Sequence, residues 1–327
     1  MADYKAIKGW TIQVVSSDPS NPIKGQVWYN STLRKIKGAR IQAGSWASGA
    51  NVNHGRNNPG SSQNATQANC LIFGGEGTPT LTTDTEQYNG TAWTELANMN
   101  TARQSPVGAG IQTAALGYSG ILNTSPSLAA QTESWDGSSW TEVADLNTGR
   151  YGTKGAGLQA AALCFAGTTG GSDRKTLNES WDGSSWTEIG DLNTARTDPG
   201  GFGATSTAAV CAGGNTSPGA NYTANAETWD GSSWTETNNL NLAKQSMAGA
   251  GTTTDGLFFG GNNPSTTNTV EAWDGTSYTE VADMASGRDG MGQAGTASSA
   301  IGASGSPKTV STEEWDKSVA GSNWDTT

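Results

Sequence analysis

Short apolar runs that end in glycine recur along most of the chain, separated by polar stretches rich in Gly, Ser, Thr and Asn. The runs are CLIFGG at 70–75, AALGYSG at 114–120, AALCFAG at 161–167, AAVCAGG at 208–214, GLFFGG at 256–261 and SAIGASG at 299–305. Each run is shorter than a typical buried helix and is bounded by turn-forming residues. Each therefore predicts one buried β-strand.

A pair of spaced aromatic residues follows each apolar run. Close copies of the pattern are ESWDGSSWTEVADLNTGR at 133–150, ESWDGSSWTEIGDLNTAR at 179–196 and ETWDGSSWTETNNLNLAK at 227–244, and weaker copies start at 86, 271 and 313. The Asp-Gly between the aromatics tolerates the positive φ of a tight hairpin turn, so the pair predicts two strands. With the apolar run and the Gly/Ala-rich stretch before it, each repeat holds four short strands.

The repeat has a nearly constant period. Its first aromatic residue is Tyr88, Trp135, Trp181, Trp229, Trp273 and Trp315, which gives steps of 47, 46, 48, 44 and 42 residues. Six four-stranded units of this length predict an all-β fold, a six-bladed β-propeller over residues 41–327. Trp46 and Trp324 both match the outer aromatic position of one remaining blade. We expect the two chain ends to meet there, and either end could supply the outermost strand.

The sequence resembles the kelch repeat where an apolar run ends in Gly-Gly and two spaced aromatics follow, most closely at 71–75, 209–214 and 258–261. At Gly120, Gly167 and Gly305 only the second glycine is present. The resemblance covers about residues 41–327 and implies a kelch-like propeller. Galactose oxidase, a propeller of this type, holds copper with two histidines. His54 is the single histidine here, so that chemistry is excluded. We expect a solvated loop histidine, no metal site and no cofactor.

Charged residues also repeat with the aromatic pattern. A Glu comes two residues before the first aromatic, and an Arg or Lys ends most copies. Arginine pairs bidentately with carboxylates and stacks on Trp, so we predict a structural ion pair that locks each blade. A ring of cations that attracts anions is the alternative. The clearest structural positions are Arg103, Arg150, Arg196, Glu133, Glu179, Glu227, Trp135, Trp181 and Trp229.

The segments between each apolar run and the next Glu differ in length and sequence, and the alternation of strands predicts that all lie on one face. Variable loops carry most binding sites, and Asn, Ser, Thr and Tyr suit sugar hydroxyl groups. Solvated loops without a ligand are the alternative. The candidate binding residues are Asp173, Arg174, Asn215, Asn221, Tyr222 and Asn262.

Charge divides the chain into two parts. The net charge is −11, yet residues 1–40 contain seven basic and two acidic side chains, so the remaining residues have a net charge of −16. That acidic majority argues against a nucleic-acid partner. No apolar stretch reaches the length of a membrane-spanning helix, so we expect no membrane insertion. Cys70, Cys164 and Cys211 lack metal-site spacing and are interpreted as small buried hydrophobic residues.

Residues 1–40 have no repeat motif and contain two strand-like stretches, which predicts a basic, β-rich N-terminal arm. Gly25, Trp28, Tyr29, Asn30 and Thr32 match a Gly-x-x-Trp-Tyr-Asn-x-Thr stretch, and the segment resembles the N-terminal pieces of tailed-phage virion proteins, particularly of marine phages. The resemblance implies an anchoring arm that binds other virion proteins. An ordinary hairpin packed on the propeller is the alternative. The arm residues that we expect to contribute also include Trp10, Arg34 and Lys35.

Three functional hypotheses follow. The first is a non-enzymatic structural protein of the virion, assembled in the host cytoplasm and present in multiple copies or as a homo-oligomer. It would belong to the tail, a tail fibre or the capsid surface, with the loop face on a host surface glycan, a receptor or a neighbouring subunit. The second is a glycan-processing hydrolase that uses carboxylates such as Asp173 or Asp255. The third is a free kelch adaptor that binds another protein.

Overall fold

The computed structural model describes residues 12–17, 27–41, 44–123, 127–219, 221–317 and 319–323. These residues form 28 strands and one 3₁₀ turn, Gln67–Asn69, and none of their helical segments has the length and apolarity to cross a membrane. The strands are β1 (Gln13–Val15), β2 (Val27–Asn30), β3 (Lys35–Ile41), β4 (Ser45–Ser48), β5 (Gly60–Ser61), β6 (Leu71–Phe73), β7 (Thr85–Tyr88), β8 (Trp93–Glu95), β9 (Val107–Ile111), β10 (Ala114–Tyr118), β11 (Thr132–Trp135), β12 (Trp140–Val143), β13 (Tyr151–Leu158), β14 (Ala161–Thr168), β15 (Asn178–Trp181), β16 (Trp186–Glu188), β17 (Gly200–Thr205), β18 (Ala208–Ala212), β19 (Ala226–Trp229), β20 (Trp234–Thr237), β21 (Ala248–Thr252), β22 (Asp255–Phe259), β23 (Val270–Trp273), β24 (Tyr278–Val281), β25 (Gly292–Thr296), β26 (Ser299–Ala303), β27 (Thr312–Asp316) and β28 (Val319–Asn323).

The described strands form seven four-stranded sheets, which belong to two compact units. Unit 2, Ser45–Asp316, holds six of them: sheet I (β5 to β8), sheet II (β9 to β12), sheet III (β13 to β16), sheet IV (β17 to β20), sheet V (β21 to β24) and sheet VI (β25, β26, β27 and β4). Unit 1, Met1–Gly44 with Lys317–Thr327, holds the terminal sheet, in the order β1, β2, β3, β28. The all-β, propeller-like architecture predicted from the repeat is therefore confirmed.

The predicted number of six blades is wrong, because the described residues form seven four-stranded sheets. The repeat pattern missed the terminal sheet, which has no repeat motif. Its strand β1 runs parallel to β2, and β3 pairs with β28, so that Val319 lies opposite Ile41. The C-terminal residues from 317 onward thus group with the N-terminal segment, and the division differs at that end from the expected 41–327.

The strands of unit 2 close into a ring. The first strands β5, β9, β13, β17, β21 and β25 contact one another in this order, and β25 contacts β5. Sheet VI takes its outermost strand from the N-terminal side, because β4 pairs with β27 and Trp46 lies opposite Trp315. Of the two candidates for this strand, the segment around Trp46 supplies it. Trp324 lies outside the described residues.

Aromatic side chains fill the space between neighbouring sheets of unit 2. Trp181 and Trp186 of sheet III pack against Leu116 and Tyr118 of sheet II, and similar buried clusters lie at the other junctions. Trp186 Nε1 also donates a hydrogen bond to Thr132 Oγ1 of sheet II at 3.0 Å. An aromatic pair adds about 0.5–1.5 kcal/mol beyond area burial. The clusters also contain the free, fully buried thiols expected from the sequence, Cys70, Cys164 and Cys211.

A buried ion pair joins the start of each sheet in unit 2 to its third strand. Arg103 Nη2 lies 2.7 Å from Glu133 Oε1, and both side chains are buried. The same carboxylate accepts the backbone N–H of Asn100 at 2.7 Å and of Thr101 at 3.2 Å. Because those residues arrive from the outer strand of sheet I, the glutamate holds the crossover between two sheets. The equivalent pairs are Arg56–Glu86, Arg150–Glu179, Arg196–Glu227, Lys244–Glu271 and Arg288–Glu313.

Left-handed backbone at the end of each apolar run explains which glycines the repeat retains. Gly214 has φ +97° and Gly167 has φ +101°, and a Cβ on Gly214 would lie 2.8 Å from Thr197 O. The preceding position has a φ near the left-handed helical value, +63° in Ala166 and +65° in Ser119. A residue with a Cβ tolerates that conformation at a cost of about 1–2 kcal/mol. The loss of the first glycine therefore leaves the turn intact.

Lys244 is the one lysine among the six ion pairs, and its replacement by arginine should stabilise the protein. Lys244 Nζ lies 3.7 Å from Glu271 Oε1, and that oxygen is buried without a hydrogen-bond partner. A guanidinium group can satisfy this oxygen. We expect Lys244→Arg to raise the free energy of unfolding by about 1 kcal/mol in urea denaturation followed by Trp fluorescence.

The matched control is Arg196→Lys in sheet IV, where the arginine Nη2 lies 2.6 Å from Glu227 Oε1. Lysine at this position should lower the free energy of unfolding by about 2 kcal/mol, because the fork-shaped hydrogen bonding of the guanidinium is lost. Equal effects of both substitutions, in either direction, would contradict this account of the ion pair.

Candidate functional site

The variable loops of unit 2 lie on the face where the first strand of each sheet begins. In an antiparallel sheet the second strand ends where the first begins, so the loop after it starts at the same end. Isolated bridges join these two points: Thr197 pairs with Asn215 in sheet IV, and Gln245 pairs with Asn262 in sheet V. We call this surface the loop face. It surrounds one mouth of the channel enclosed by the six first strands.

One residue from each sheet rings this mouth with left-handed backbone. The ring, which we call the axial belt, consists of Asn58 (φ +48°), Ser105 (+54°), Gly152 (+65°), Asp198 (+53°), Ser246 (+54°) and Gly290 (+55°). Five backbone N–H groups donate to the belt residue of the preceding sheet, with N···O distances of 2.7–3.1 Å: Asn58 to Gly290, Ser105 to Asn58, Asp198 to Gly152, Ser246 to Asp198 and Gly290 to Ser246. The belt therefore ties successive sheets together around the mouth.

Two charged side chains occupy the mouth, where small or neutral residues stand in the other sheets. Lys154 and Asp198 both line a cavity of about 40 Å³ beneath the axial belt. Lys154 also lines a deeper cavity of about 20 Å³. Burial lowers the pKa of Lys154 to about 8 and raises the pKa of Asp198, while each group's charge acts on the other. At the register position of Lys154 the other sheets hold Gly60, Val107, Gly200, Ala248 and Gly292.

A hydrogen-bonded chain of side chains crosses three sheets beside the mouth. Tyr222 Oη donates to Asn262 Oδ1 at 3.2 Å, and Asn262 Nδ2 donates to Asp289 Oδ2 at 3.1 Å. Burial is the largest cause that raises the pKa of Asp289, and the negative charge of Asp198 adds to it. Two of the residues predicted from the sequence, Tyr222 and Asn262, are thus brought together with two carboxylates that the sequence reasoning missed.

Other predicted loop residues mainly build their own loop in sheet IV. Asn215 is buried, its Nδ2 donates to Gly219 O at 2.6 Å, and its Oδ1 accepts the Ser217 N–H at 3.1 Å. Asn221 donates its side-chain amide to the Ser217 hydroxyl. These contacts shape the loop that carries Tyr222.

The carboxylates named for a hydrolase do not meet. Asp173 lies on the loop face, where Lys175 Nζ is 2.7 Å from its Oδ2, and this hydrogen bond is the largest cause that lowers the pKa of Asp173. Its neighbour Arg174 donates weakly to Gly171 O at 3.4 Å. Asp255 begins β22, at the opposite end of its sheet. Asp173 and Asp255 therefore lie on opposite faces of the ring.

A larger pocket of about 520 Å³ opens on the loop face between sheets VI and I. His54 Nδ1 lies 3.0 Å from Asp84 Oδ2, and His54 Nε2 lies 3.7 Å from Glu95 Oε1. Lys308 Nζ, on the other wall, lies 3.1 Å from Glu76 Oε1. His54 is exposed, as expected, but it is also held by a carboxylate and lines this pocket. We call this pocket between sheets VI and I the side pocket.

The motif residues of the arm form a turn. Asn30 Oδ1 accepts the backbone N–H of Thr32 at 3.1 Å and of Leu33 at 2.9 Å, and Thr32 Oγ1 donates to Ser16 O at 2.6 Å. Arg34 completes the turn with φ +54°. Of the remaining arm residues, Trp28 is buried, Tyr29 and Lys35 are partly exposed, and Trp10 and Gly25 lie outside the described residues.

No set of three or more His, Cys, Asp or Glu side chains within the described ranges is arranged to hold a metal ion.

A comparison with solved structures found one titled "Structure of YjhT". It is 14% identical in sequence and superposes with a TM-score of 0.67, covering 84% of this chain and 99% of that chain. At this identity the likeness concerns the fold alone, and it supports the propeller-like architecture. No protein-family model and no curated protein sequence matched the chain.

Asp289 should give the stability of the protein a recognisable pH dependence. Its pKa is raised in the folded state, so the folded protein binds this proton more tightly than the unfolded chain. The wild-type protein therefore gains stability as the pH falls through the folded pKa towards the ordinary value of 3.8. Asp289→Asn removes this gain and keeps an acceptor for Asn262. We expect the free energy of unfolding of Asp289→Asn, relative to wild type, to be higher at pH 7 than at pH 4.

Urea denaturation at a series of pH values measures this difference. Asp255→Asn, an exposed carboxylate at the opposite end of its sheet, controls for the loss of one negative charge. If the free energies of unfolding of Asp289→Asn and Asp255→Asn changed in parallel with pH, the burial of Asp289 would not contribute to the pH dependence of stability.

Proposed function

We propose that this chain is a non-enzymatic binding protein that attaches to a larger assembly through unit 1 and binds a hydroxyl-rich ligand, such as a host surface glycan, through the loop face of unit 2. One observation carries the proposal: the residues that depart from the repeat lie together on one face of unit 2. Lys154, Asp198, Tyr222, Asn262 and Asp289 all surround the mouth. Repeated positions describe the scaffold, so departures from the repeat indicate function.

The chemistry of the loop face suits sugar recognition. Carboxylate and amide oxygens accept hydrogen bonds from hydroxyl groups, and the amides and the Lys154 ammonium donate them. The side pocket, with its volume of about 520 Å³, is large enough for a sugar residue and combines His54, Asp84 and Lys308 with the apolar Leu81 and Val310. Several weak contacts, multiplied over copies on one particle, give avidity without a deep pocket.

Attachment through unit 1 is supported by its charge and its exposed apolar residues. Residues 1–40 carry a net charge of +5, against −16 for the rest of the chain. Val14 is 66% exposed and pairs across strands with Tyr29, and Leu33 in the next turn is 52% exposed. An apolar surface edged by Arg34 and Lys35 suits an acidic protein surface.

We propose further that the assembly is the virion of a tailed phage and that unit 2 is of kelch type. The virion proposal rests on the N-terminal motif from Gly25 to Thr32, and the kelch proposal rests on the Gly-Gly turns followed by spaced aromatics. In this setting the chain is present in several copies on the particle, and its partners are other virion proteins.

A glycan-processing hydrolase is the second candidate. Asp198 and Asp289 interact electrostatically at the mouth, and both have raised pKa values. A carboxyl group with a raised pKa can act as a general acid, and a second carboxylate can act as base or nucleophile. Release of new reducing ends from a bacterial polysaccharide, lost in Asp198→Asn, would favour this function over simple binding.

Substitutions on the loop face should weaken glycan binding. We expect His54→Gln combined with Tyr222→Phe to raise the Kd for surface polysaccharide from a candidate host by roughly tenfold, since each change removes a polar contact of about 0.5–1.5 kcal/mol. Biolayer interferometry with full-length protein measures this. Glu142→Gln on an exposed outer strand is the control. An equal loss of affinity in the control would argue against the loop face as the binding surface.

Substitutions in unit 1 should reduce incorporation into particles. We expect Val14→Asp with Leu33→Asp to lower the number of copies per purified particle at least tenfold, because two charges would be buried in an apolar contact. Quantitative mass spectrometry of particles measures this number. Leu158→Asp, which changes an apolar residue of unit 2 that is 45% exposed, is the matched control. Undiminished incorporation, or a protein found only free in the lysate, would favour the adaptor hypothesis.

A further inference from the structure

Lys154 differs from the other lysines of unit 2 in having no ion-pair partner. Lys175 lies 2.7 Å from Asp173, Lys244 lies 3.7 Å from Glu271, and Lys308 lies 3.1 Å from Glu76. Within the part of the chain that the structure describes, no carboxylate oxygen lies within 4.0 Å of Lys154 Nζ, and no hydrogen bond holds it. An amine in the interior that is neither paired nor bonded is available for chemistry.

The surroundings of Lys154 leave room for a small molecule. Asp198 shares with it the cavity of about 40 Å³ beneath the axial belt. Gln63 lines the adjoining cavity of about 20 Å³, is 6% exposed, and has a buried Oε1 without a hydrogen-bond partner. Lys154 itself is partly exposed, so solvent reaches it from the mouth. Lys154 therefore lines two small cavities, one together with Asp198 and the other together with Gln63.

We propose that Lys154 is a nucleophilic amine that captures small aldehydes or ketones entering through the axial belt, with Asp198 as the group that accepts and returns the proton. This inference is independent of the proposed function, because it requires neither a glycan nor an assembly. The volume of about 40 Å³ limits the ligand to about three non-hydrogen atoms, since a cavity holds one water-sized group for roughly every 10–15 Å³.

The reaction is the formation of an imine. The Lys154 ammonium loses a proton to the Asp198 carboxylate through an intervening water molecule, because the two groups lie more than 4.0 Å apart. The nitrogen lone pair then attacks the carbonyl carbon, so that the C–N bond forms as the C=O π bond breaks. One N–H proton then moves to the former carbonyl oxygen, which gives a neutral carbinolamine. Its hydroxyl group can donate a hydrogen bond to Gln63 Oε1, which is buried without a partner. Asp198 then returns its proton, water leaves, and a protonated imine remains. Ammonium and carbonyl are thus converted into iminium and water without an oxidant or a reductant.

Burial supports this chemistry, because it lowers the pKa of Lys154 to about 8. At pH 7 the fraction of free amine is then about two hundred times that of a lysine with an ordinary pKa near 10.4. Asp198 is the charged group that opposes this shift. Its carboxylate keeps the lysine partly protonated and accepts the proton when the amine reacts.

The test uses the full-length protein, acetaldehyde and sodium cyanoborohydride, which reduces the imine to a stable ethyl-lysine. Peptide mass spectrometry after short exposures at pH 7 gives the labelling rate of each lysine. We expect Lys154 to be labelled at least about ten times faster than Lys175 or Lys308, although Lys308 is more exposed. Labelling of Lys154 at or below the rate of Lys308 would overturn the proposal.

Two variants separate chemistry from folding. Lys154→Arg should abolish the fast label, while Lys175→Arg should leave it unchanged, and urea denaturation verifies that both are folded. In Asp198→Asn the loss of the carboxylate should move the midpoint of the labelling rate against pH to a lower pH, because a negative charge no longer stabilises the ammonium. An unchanged midpoint would show that Asp198 takes no part in the reaction. If the Lys154→Arg protein were still labelled rapidly at another lysine, Lys154 would not be the reactive amine.

Discussion

A four-stranded sheet with apolar residues on both faces is stable only between two neighbours, and this constraint organises the whole of unit 2. Trp181 and Trp186 have nowhere to pack except against the preceding sheet. The last sheet, sheet VI, also needs two neighbours. The chain completes it by pairing β4 with β27, and its first strand contacts that of sheet I. Ring closure therefore links the two ends of the repeat region, and no single sheet would be stable without it.

The buried ion pairs serve the same closure. Each glutamate pairs with a buried cation, a guanidinium group in five sheets and the Lys244 ammonium in the sixth. It also binds the backbone of the crossover segment, so the chain leaves one sheet and enters the next at a defined angle. A buried charge without its partner would lower the stability of the fold. Each junction between sheets therefore forms only when both members of its ion pair are in place. Lys244 shows the tolerance of the arrangement, since an ammonium can occupy the place of a guanidinium while one oxygen of Glu271 remains unsatisfied.

Function is expected where the repeat is broken. The axial belt needs only a backbone that can adopt a left-handed conformation, so Asn58, Ser105, Asp198 and Gly290 satisfy the same structural role. Their side chains are free to differ, and at Asp198 a carboxylate enters the mouth beside Lys154. The scaffold thus holds its variable groups at a fixed radius around one opening. This separation of roles allows the loop face to change without loss of the ring.

The local features of this protein were determined by its sequence alone, because they depend on neighbouring residues. The Asp-Gly turn places Trp135 opposite Trp140, as the spacing predicted, and the apolar runs form the buried second strands. Tertiary structure alone decided the features that join distant residues. Trp46 and Trp315 meet in sheet VI, β28 pairs with β3, and Asp289 stands near Asp198. Periodicity left the outermost strand of sheet VI open between two segments, and it carries no information on the other two contacts, because each joins residues that are far apart along the chain and lie outside the repeated pattern.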